Sequence, residues 1–291
     1  MQSWSHLGAS AFMLANMVSG LSIKVDAKAG KSCEYTAPWQ TLPELPPMPK
    51  ANFEGTAPID GIDLCDYWTN QINHFKDHPY TLITIDSQAQ GRSSDDIGRP
   101  LTYDLMTEDV VGLMDHLGID KFSTVGWSDG ACISFNLAMN FTSRLDRSFA
   151  FGGTYSPENI NATAAESPVF LEYMERAQEE YKKNSPSKGS FHDFEERMNT
   201  MWGSLPDWDA KSFAKIPTRY SDPNAPIIWI VDGDSEEAVT RSIPGEIHSW
   251  IWGSDLVILP GVSHFAFMQD PETFNVMVER FLEMPRFPGE L

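Results

Sequence analysis

The sequence KFSTVGWSDGACISFNLAM, residues 121–139, decides the fold. Its first part is a short run of β-prone residues, and the glycine-containing pentapeptide GWSDG (residues 126–130) follows directly. From Ile133 onward, apolar residues recur at helical spacing. The stretch therefore predicts a strand, a sharp turn and a helix, with Ser128 at the turn.

The surroundings of Ser128 suit nucleophilic catalysis. A serine hydroxyl attacks a carbonyl well when it projects from a strained strand-to-helix turn, and Gly126 and Gly130 are expected to leave room for that turn to pack. The backbone N–H of Asp129 and the positive end of the helix then face the oxygen that becomes negative. The pattern G-x-S-x-G also occurs in ordinary turns, but a strand before it and a helix after it favour a catalytic serine.

A nucleophilic serine needs a base and an acid, which in this arrangement come later in the chain. Residues 255–259 (DLVIL) have the pattern of a strand, and the loop after them contains His264. Residues 226–231 (PIIWIV) have the pattern of a buried strand that leads into the acidic run DGDSEE, residues 232–237. Chain order alone is satisfied by any of these carboxylates.

Residues 82–282 resemble the α/β-hydrolase superfamily, close to its single-domain esterases and lactonases. The GWSDG turn is similar to that of valacyclovir-hydrolase-like members. The other segments that carry the resemblance are IDSQAQGRSS (85–94), YDLMTEDVVGLMDHLGI (103–119), VDGDSEEAV (231–239) and GVSH (261–264). The resemblance implies an α/β fold with a mostly parallel sheet flanked by helices.

The resemblance also implies a catalytic triad of Ser128, His264 and a carboxylate. In the family the acid follows Gly-x-x, which places Glu236 at that position in this sequence. Asp234 and Glu158 stay open as alternatives. Such a triad would cleave an ester, lactone or related acyl bond of a small molecule through an acyl-enzyme.

The family further implies a helical cap, here about residues 154–222, within a hydrolase domain of residues 51–291. Residues 170–183 and 191–202 have helical patterns. Trp127, Asp129 and Trp202 are candidate substrate-binding residues, and the Asp129 carboxylate either attracts a cationic acyl group or is structural. The apolar faces of the cap either shape the pocket or merely pack the cap onto the core; their residues are Phe170, Tyr173, Met174, Met198, Met201 and Trp202.

One part of the family pattern is missing. Residues 66–78 resemble the first family helix, yet they begin one residue after a predicted hairpin at residues 51–64. Family members place between these two elements a buried strand and a His-Gly loop that supplies the second oxyanion donor, roughly twenty residues in all. That strand would pair with both the predicted strand at residues 80–85 and the strand before Ser128. We therefore interpret the chain as a shortened, impaired enzyme or an inactive binding protein of the same fold.

Composition and charge limit the possible partners. The chain has 291 residues and a formal net charge of -20, which disfavours binding to nucleic acid or to an anionic membrane. The sequence contains no nucleotide-binding motif and no cysteine–histidine metal set, so no cofactor is expected. His74 and His78 lie one helical turn apart, but the zinc pattern H-E-x-x-H requires Glu at Phe75. We expect two surface histidines and no metal.

The N-terminal region predicts secretion. Residues 7–21 are apolar and too short to span a bilayer, and residues 1–20 are expected to form a signal peptide, followed by a Pro-rich segment at residues 21–50. N-glycosylation triplets at Asn140 and Asn161 agree with an extracellular protein, and a cytoplasmic location is the alternative. Cys132 is expected in the core, whereas Cys33 and Cys65 either pair in an oxidising compartment or stay as free thiols.

Overall fold

The computed structural model of the protein describes residues 36–52, 54–55, 66–187 and 189–286. Within these residues one parallel sheet forms from β1 (Phe122–Trp127), β2 (Leu145–Phe151), β3 (Ile227–Gly233) and β4 (Asp255–Leu259), paired in chain order. The strands run in the same direction, so the loops that follow their carboxyl ends meet at one edge of the sheet. This edge contains the candidate site.

Helices flank the sheet, as expected when parallel strands need long crossovers. Among the described residues before β1 are the helices α1 (Thr69–Phe75) and α2 (Tyr103–His116), and α3 (Asp129–Asn140) connects β1 to β2. Between β2 and β3 lie α4 (Pro168–Asn184), α5 (Phe191–Trp202) and α6 (Ala210–Phe213). The remaining helices are α7 (Ile243–Trp250), α8 (Ala266–Gln269) and α9 (Pro271–Glu283). Short 3-10 turns occur at Pro38–Gln40, Asp66–Trp68, Thr142–Arg144, Pro157–Asn159 and Ala164–Glu166.

Sequence and burial agree in the middle of the sheet. Every residue of β3 is buried, and the second half of β2 is buried as well. The first five residues of β3 are a continuous apolar run, and β2 ends in the apolar residues Phe149, Ala150 and Phe151, which is the pattern of parallel strands covered by helices on both faces. The strands β1 and β4 are the outer ones and are only partly buried. The predicted parallel α/β-hydrolase sheet is therefore confirmed.

The predicted strand at residues 80–85 is wrong. These residues form neither a helix nor a strand and pair with no strand among the described residues, and Leu82 and Ile83 are 40% and 36% exposed. Residues 80–85 form no strand because a strand needs a neighbouring strand to satisfy its backbone N–H and C=O groups. Without the family's intervening strand, residues 80–85 have no partner, and β1 ends the described sheet.

The cap helices α4 and α5 form close to their predicted bounds. In α5, Ser190 accepts a hydrogen bond from the N–H of Asp193, whose side chain accepts in return from the Ser190 N–H, a capping box. Met198 and Met201 of α5 are each 2% exposed and belong to the main apolar core. For these two residues, packing of the cap onto the core is the correct interpretation, and lining of a pocket is not.

Some predictions fall outside the described residues. They are the signal peptide, most of the hairpin at residues 51–64, and Cys33 and Cys65. Cys132 is buried in the core as expected, with a free thiol. Among the described residues, no helix is long and apolar enough to cross a membrane.

Candidate active site

Ser128 lies at a strained turn between β1 and α3. Its φ of 54° and ψ of −113° are unusual for a residue with a side chain, and such strain is typical of functional positions. A Cβ on Gly126 would collide with the backbone of Gly130, so the turn can form only with glycine at position 126. A Cβ on Gly130 would meet open space, so the expectation that both glycines make room holds for Gly126 alone.

His264 and Glu236 form a buried hydrogen-bonded pair. The distance from His264 Nδ1 to Glu236 Oε2 is 2.9 Å, and the side chains are 2% and 0% exposed. The other carboxylate oxygen, Oε1, accepts hydrogen bonds from the N–H groups of Ala238 (2.6 Å) and Val239 (3.1 Å). Because Glu236 is fixed by the backbone, it holds the imidazole with Nδ1 as the donor and leaves Nε2 available as a base.

The alternative acids lie elsewhere. Asp234 accepts a hydrogen bond from the N–H of Gly261 at 2.7 Å and so holds the loop after β4 against the loop after β3. Glu158 is exposed on a 3-10 turn. Of the three carboxylates considered from the sequence, only Glu236 hydrogen bonds to His264 in the described structure.

The end of β2 brings His264 close to the Ser128 turn. The N–H of Ser128 donates to the carbonyl of Phe151 at 2.9 Å. The next residue, Gly152, has a φ of 65°, and a Cβ there would lie 2.7 Å from His264 Cε1. The indole N–H of Trp127 also donates to the His264 carbonyl at 2.6 Å. Ser128 therefore contacts Phe151, the last residue of β2, and His264 lies against Gly152, the residue that follows it.

Two further carboxyl groups support the His264–Glu236 pair, and the sequence analysis assigned no role to either. Glu237 accepts hydrogen bonds from the His264 N–H and from the Ser263 hydroxyl, both at 3.0 Å, and so fixes the backbone of the histidine loop. Asp232 is 1% exposed and hydrogen bonds to Glu236. Burial and then the neighbouring carboxyl of Glu236 raise the pKa of Asp232 well above its usual range.

The electrostatics of the pair follow from its burial. Burial raises the pKa of Glu236 to about 7, against the lowering effect of its hydrogen bond from Asp232. Burial lowers the pKa of the His264 imidazole, against the charges of Glu237, Asp232 and Asp129. The imidazole is therefore neutral at neutral pH, which is the form that can accept a proton.

The Asp129 carboxylate is occupied by the protein itself. It accepts hydrogen bonds from the Tyr103 hydroxyl at 2.8 Å and from the Trp202 indole N–H at 3.0 and 3.1 Å. Burial raises the pKa of Asp129, and Tyr103 has a raised pKa because of its own burial and the neighbouring carboxylate. These contacts tie the Ser128 turn to α2 and to the cap helix α5. The geometry favours a structural role for this side chain.

Aromatic residues of the cap cover the histidine. The Phe170 ring stacks on the imidazole of His264, with 5.7 Å between centroids and 27° between planes. Tyr173 meets Trp127 edge-on at 5.5 Å, and both rings pack on Phe265. Trp127 thus packs between the cap and the histidine loop, and Trp202 is 38% exposed beside Asp129. The surface beside the candidate site is largely apolar and aromatic.

The comparisons with known proteins agree with this geometry. A family model described as the alpha/beta hydrolase fold matches residues 63–182. Solved structures of the same fold include a meta-cleavage product hydrolase from Pseudomonas fluorescens IP01, with a TM-score of 0.62 and 17% identity over 78% of this chain and 88% of that one. An enol-lactonase from Burkholderia xenovorans LB400 aligns with a TM-score of 0.56 and 19% identity over 75% and 86%. The chain has the α/β-hydrolase fold that its sequence predicted.

Sequence relatives support the class of hydrolases. Human serine hydrolase BPHL is 23% identical over 226 residues, covering 73% of each chain. The 3-oxoadipate enol-lactonase 2 of Acinetobacter baylyi is 24% identical over 225 residues, which is 74% of this chain and 83% of the relative. A Caulobacter relative is 29% identical over only 92 residues, and that match spans 34% of its own length.

Proposed function

We propose that the protein is a serine hydrolase that cleaves an ester, lactone or related acyl bond. The observation that carries the proposal is the buried His264–Glu236 hydrogen bond, placed by the end of β2 beside the strained turn at Ser128. A nucleophile, a base and an orienting acid in chain order Ser, Glu, His are the groups that acyl transfer requires.

The mechanism follows from which nitrogen of His264 is free. Nδ1–H donates to Glu236, so Nε2 accepts the proton of the Ser128 hydroxyl as its oxygen attacks the acyl carbon. The imidazolium is stabilised by Glu236 and returns the proton to the leaving group, which gives an acyl-Ser128. Water, deprotonated by the same Nε2, then attacks the acyl group and releases the acid and free Ser128.

The oxyanion is expected to receive incomplete support. The N–H of Asp129 is the first of α3, and such groups have no partner within the helix. In the family a second donor comes from the His-Gly loop, which the sequence lacks between Leu64 and Asp66. Loss of one oxyanion donor costs about 10²- to 10³-fold in kcat. We therefore expect slow turnover relative to α/β-hydrolases that have both donors.

We infer a neutral rather than a cationic acyl group. The Asp129 carboxylate is already bonded to Tyr103 and Trp202, so it offers little attraction to a substrate ammonium. The rings of Phe170 and Tyr173 next to the histidine suit an apolar or aromatic acyl group. The enol-lactonase among the relatives agrees with an acyl bond as the target.

A fluorophosphonate probe and a short-chain aryl ester test this function together. We expect the probe to label the wild-type chain and the control variant Ser123→Ala, and not to label Ser128→Ala. Ser123 is an exposed serine of β1. Hydrolysis of the ester by the first two proteins and not by the third would support a serine hydrolase. Labelling without turnover would indicate an active nucleophile with an impaired oxyanion site.

Absence of both labelling and turnover in the folded wild-type chain would overturn the proposal. The protein would then be the inactive binding protein that the missing loop also favours. Binding of the intact aryl ester without hydrolysis, measured by calorimetry, would identify that alternative.

A further inference from the structure

We propose that His74, His78 and Glu279 form a binding site for a divalent transition-metal ion such as Zn²⁺. The two histidines lie one turn apart on α1, and the glutamate is on α9, which packs beside it. Among the described residues, this is the only set of three His, Cys, Asp or Glu side chains whose ligand atoms are close enough to share an ion. None of the three is on the strand-end loops that carry Ser128, Glu236 and His264.

The ligand atoms of the three side chains lie close to one another. Glu279 Oε2 lies 3.9 Å from His74 Nε2, and Glu279 Oε1 lies 3.6 Å from His78 Nε2. All the ligand atoms are within 4.8 Å of one another. A tetrahedral zinc ion with bonds of about 2.0–2.1 Å would hold its ligands roughly 3.4 Å apart. Small side-chain rotations would close the set, and side chains about one-third exposed can make them.

The protonation of His78 is suited to metal binding. Its Nδ1 lies 3.1 Å from the carbonyl oxygen of His74. A carbonyl oxygen only accepts, so this contact places a proton on Nδ1, and in the neutral imidazole the lone pair is then on Nε2, which faces Glu279. The stacked rings of His74 and His78, with centroids 5.3 Å apart, keep the two imidazoles side by side. The helix thereby provides a ligand pair whose orientation is already set.

An ordinary ion pair accounts less well for the cluster. Distances of 3.6 and 3.9 Å are longer than a hydrogen bond. The Nε2 atom of His74 is inaccessible to solvent and has no hydrogen-bond partner, although a carboxylate lies nearby. An unsatisfied buried nitrogen is costly, and coordination to a metal would satisfy it.

The ligand types select the class of ion. Two imidazoles and one carboxylate are a common set for zinc, with the fourth position open to water. Calcium and magnesium prefer oxygen ligands and are expected to bind weakly. A bound ion would join α1 to α9 and so stabilise the seven-residue helix that follows the shortened region of the chain.

Calorimetric titration of the full chain with ZnCl₂ tests the site. We expect saturable binding of one ion that MgCl₂ does not reproduce. His74→Ala, His78→Ala and Glu279→Gln should each weaken the affinity by at least about tenfold. His192→Ala is the matched control, because His192 also lies one turn from a glutamate, Glu196, but is 73% exposed and has no second histidine beside it. This variant should bind zinc as the wild type does.

A second measurement reports the coordination geometry of the bound ion. Cobalt(II) in a tetrahedral site gives a visible absorption band, and the wild-type chain should show it at one equivalent while His74→Ala/His78→Ala should not. Equal zinc affinity of that double variant and the wild type, or loss of binding in His192→Ala, would overturn the proposal. Ser128→Ala should bind zinc normally, so a failure of the hydrolase proposal would leave this result unaffected.

Discussion

His264 Nδ1 lies 2.9 Å from Glu236 Oε2, and both side chains are withdrawn from solvent. The other carboxylate oxygen of Glu236 accepts hydrogen bonds from the N–H groups of Ala238 and Val239. These bonds fix the carboxylate and therefore the orientation of the imidazole. This rigid pair, set on two neighbouring strand ends, is the centre of the candidate site and the source of its pH dependence.

The first prediction concerns Glu236→Gln. The amide removes the negative charge that stabilises the imidazolium, and its NH₂ group cannot satisfy the N–H groups of Ala238 and Val239 if its oxygen faces His264. We expect kcat for a short-chain aryl ester to fall by about 10²- to 10⁴-fold. Glu158→Gln, at an exposed position, should leave kcat unchanged. A folded Glu236→Gln protein with wild-type kcat would exclude Glu236 as the acid.

The second prediction concerns pH. Glu236 must be ionised to orient and stabilise His264, and its pKa is raised to about 7 by burial, so kcat/KM should fall as the pH drops below about 7. Burial lowers the pKa of His264, so protonation of the imidazole shifts to lower pH than in an exposed histidine. The fall reports the coupled pair rather than either residue alone. A pH–rate profile between about pH 5 and 9 measures it.

The third prediction assigns Asp232 a positioning role. The hydrogen bond between Asp232 and Glu236 lowers the pKa of Glu236. Asp232→Ala should therefore move the acid limb of the kcat/KM profile to higher pH. Asp232→Asn keeps an N–H donor in the same place and should restore the wild-type limb. If the two variants have the same pH profile, whether both profiles are shifted from the wild type or neither is, the result would contradict this role.

The fourth prediction compares two glycines of the Ser128 turn. Gly126→Ala places a methyl group against the Gly130 backbone and should destabilise the protein by about 1–3 kcal/mol or more. Gly130→Ala meets open space at the start of α3 and should change stability by no more than about 1 kcal/mol. Urea unfolding of the two variants beside the wild type measures the difference. Equal destabilisation would show that the turn is not packed as described.

The fifth prediction concerns the open side of β1. The tested variant has a strand and a His-Gly loop inserted between Leu64 and Asp66. The inserted strand should pair with β1, and the inserted loop should supply the second oxyanion donor. We expect kcat to rise by about 10²- to 10³-fold and the amides of β1 to gain protection from hydrogen exchange. An insertion with the same length of Gly-Ser sequence is the control. An unchanged kcat in the folded, strand-restored protein would show that the missing loop does not limit turnover.

Much of the site was accessible from the sequence because its parts are local. The strand–turn–helix around Ser128 follows from β-prone residues, a glycine pair and helical spacing, and the strained φ of Ser128 is a property of that turn. The position of Glu236 three residues after Gly233 was sufficient to favour it over Asp234 and Glu158. The missing strand was also visible, because Leu64 and Asp66 are separated by one residue.

Other features depend on contacts between distant parts of the chain. The strand predicted at residues 80–85 does not form, because pairing with an absent neighbour, and not local propensity, decides whether an extended segment becomes a strand. Glu237 reaches the His264 N–H only because the loops after β3 and β4 meet, and the pKa of Asp232 is raised by burial; no local pattern specifies either. Likewise, Glu279 is about 200 residues from His74, and only the packing of α9 on α1 brings them together.

The sequence was enough to predict the class of fold, the strand–turn–helix at Ser128 and the chain order of the three candidate catalytic groups, because strand, turn and helix patterns are local features. Only the tertiary contacts show which carboxylate hydrogen bonds to His264 and where the described sheet ends. They also show that Tyr103 and Trp202 donate hydrogen bonds to the Asp129 carboxylate. The physical reason is that hydrogen-bond partners and burial are set by the meeting of strand ends and helices that lie far apart along the chain.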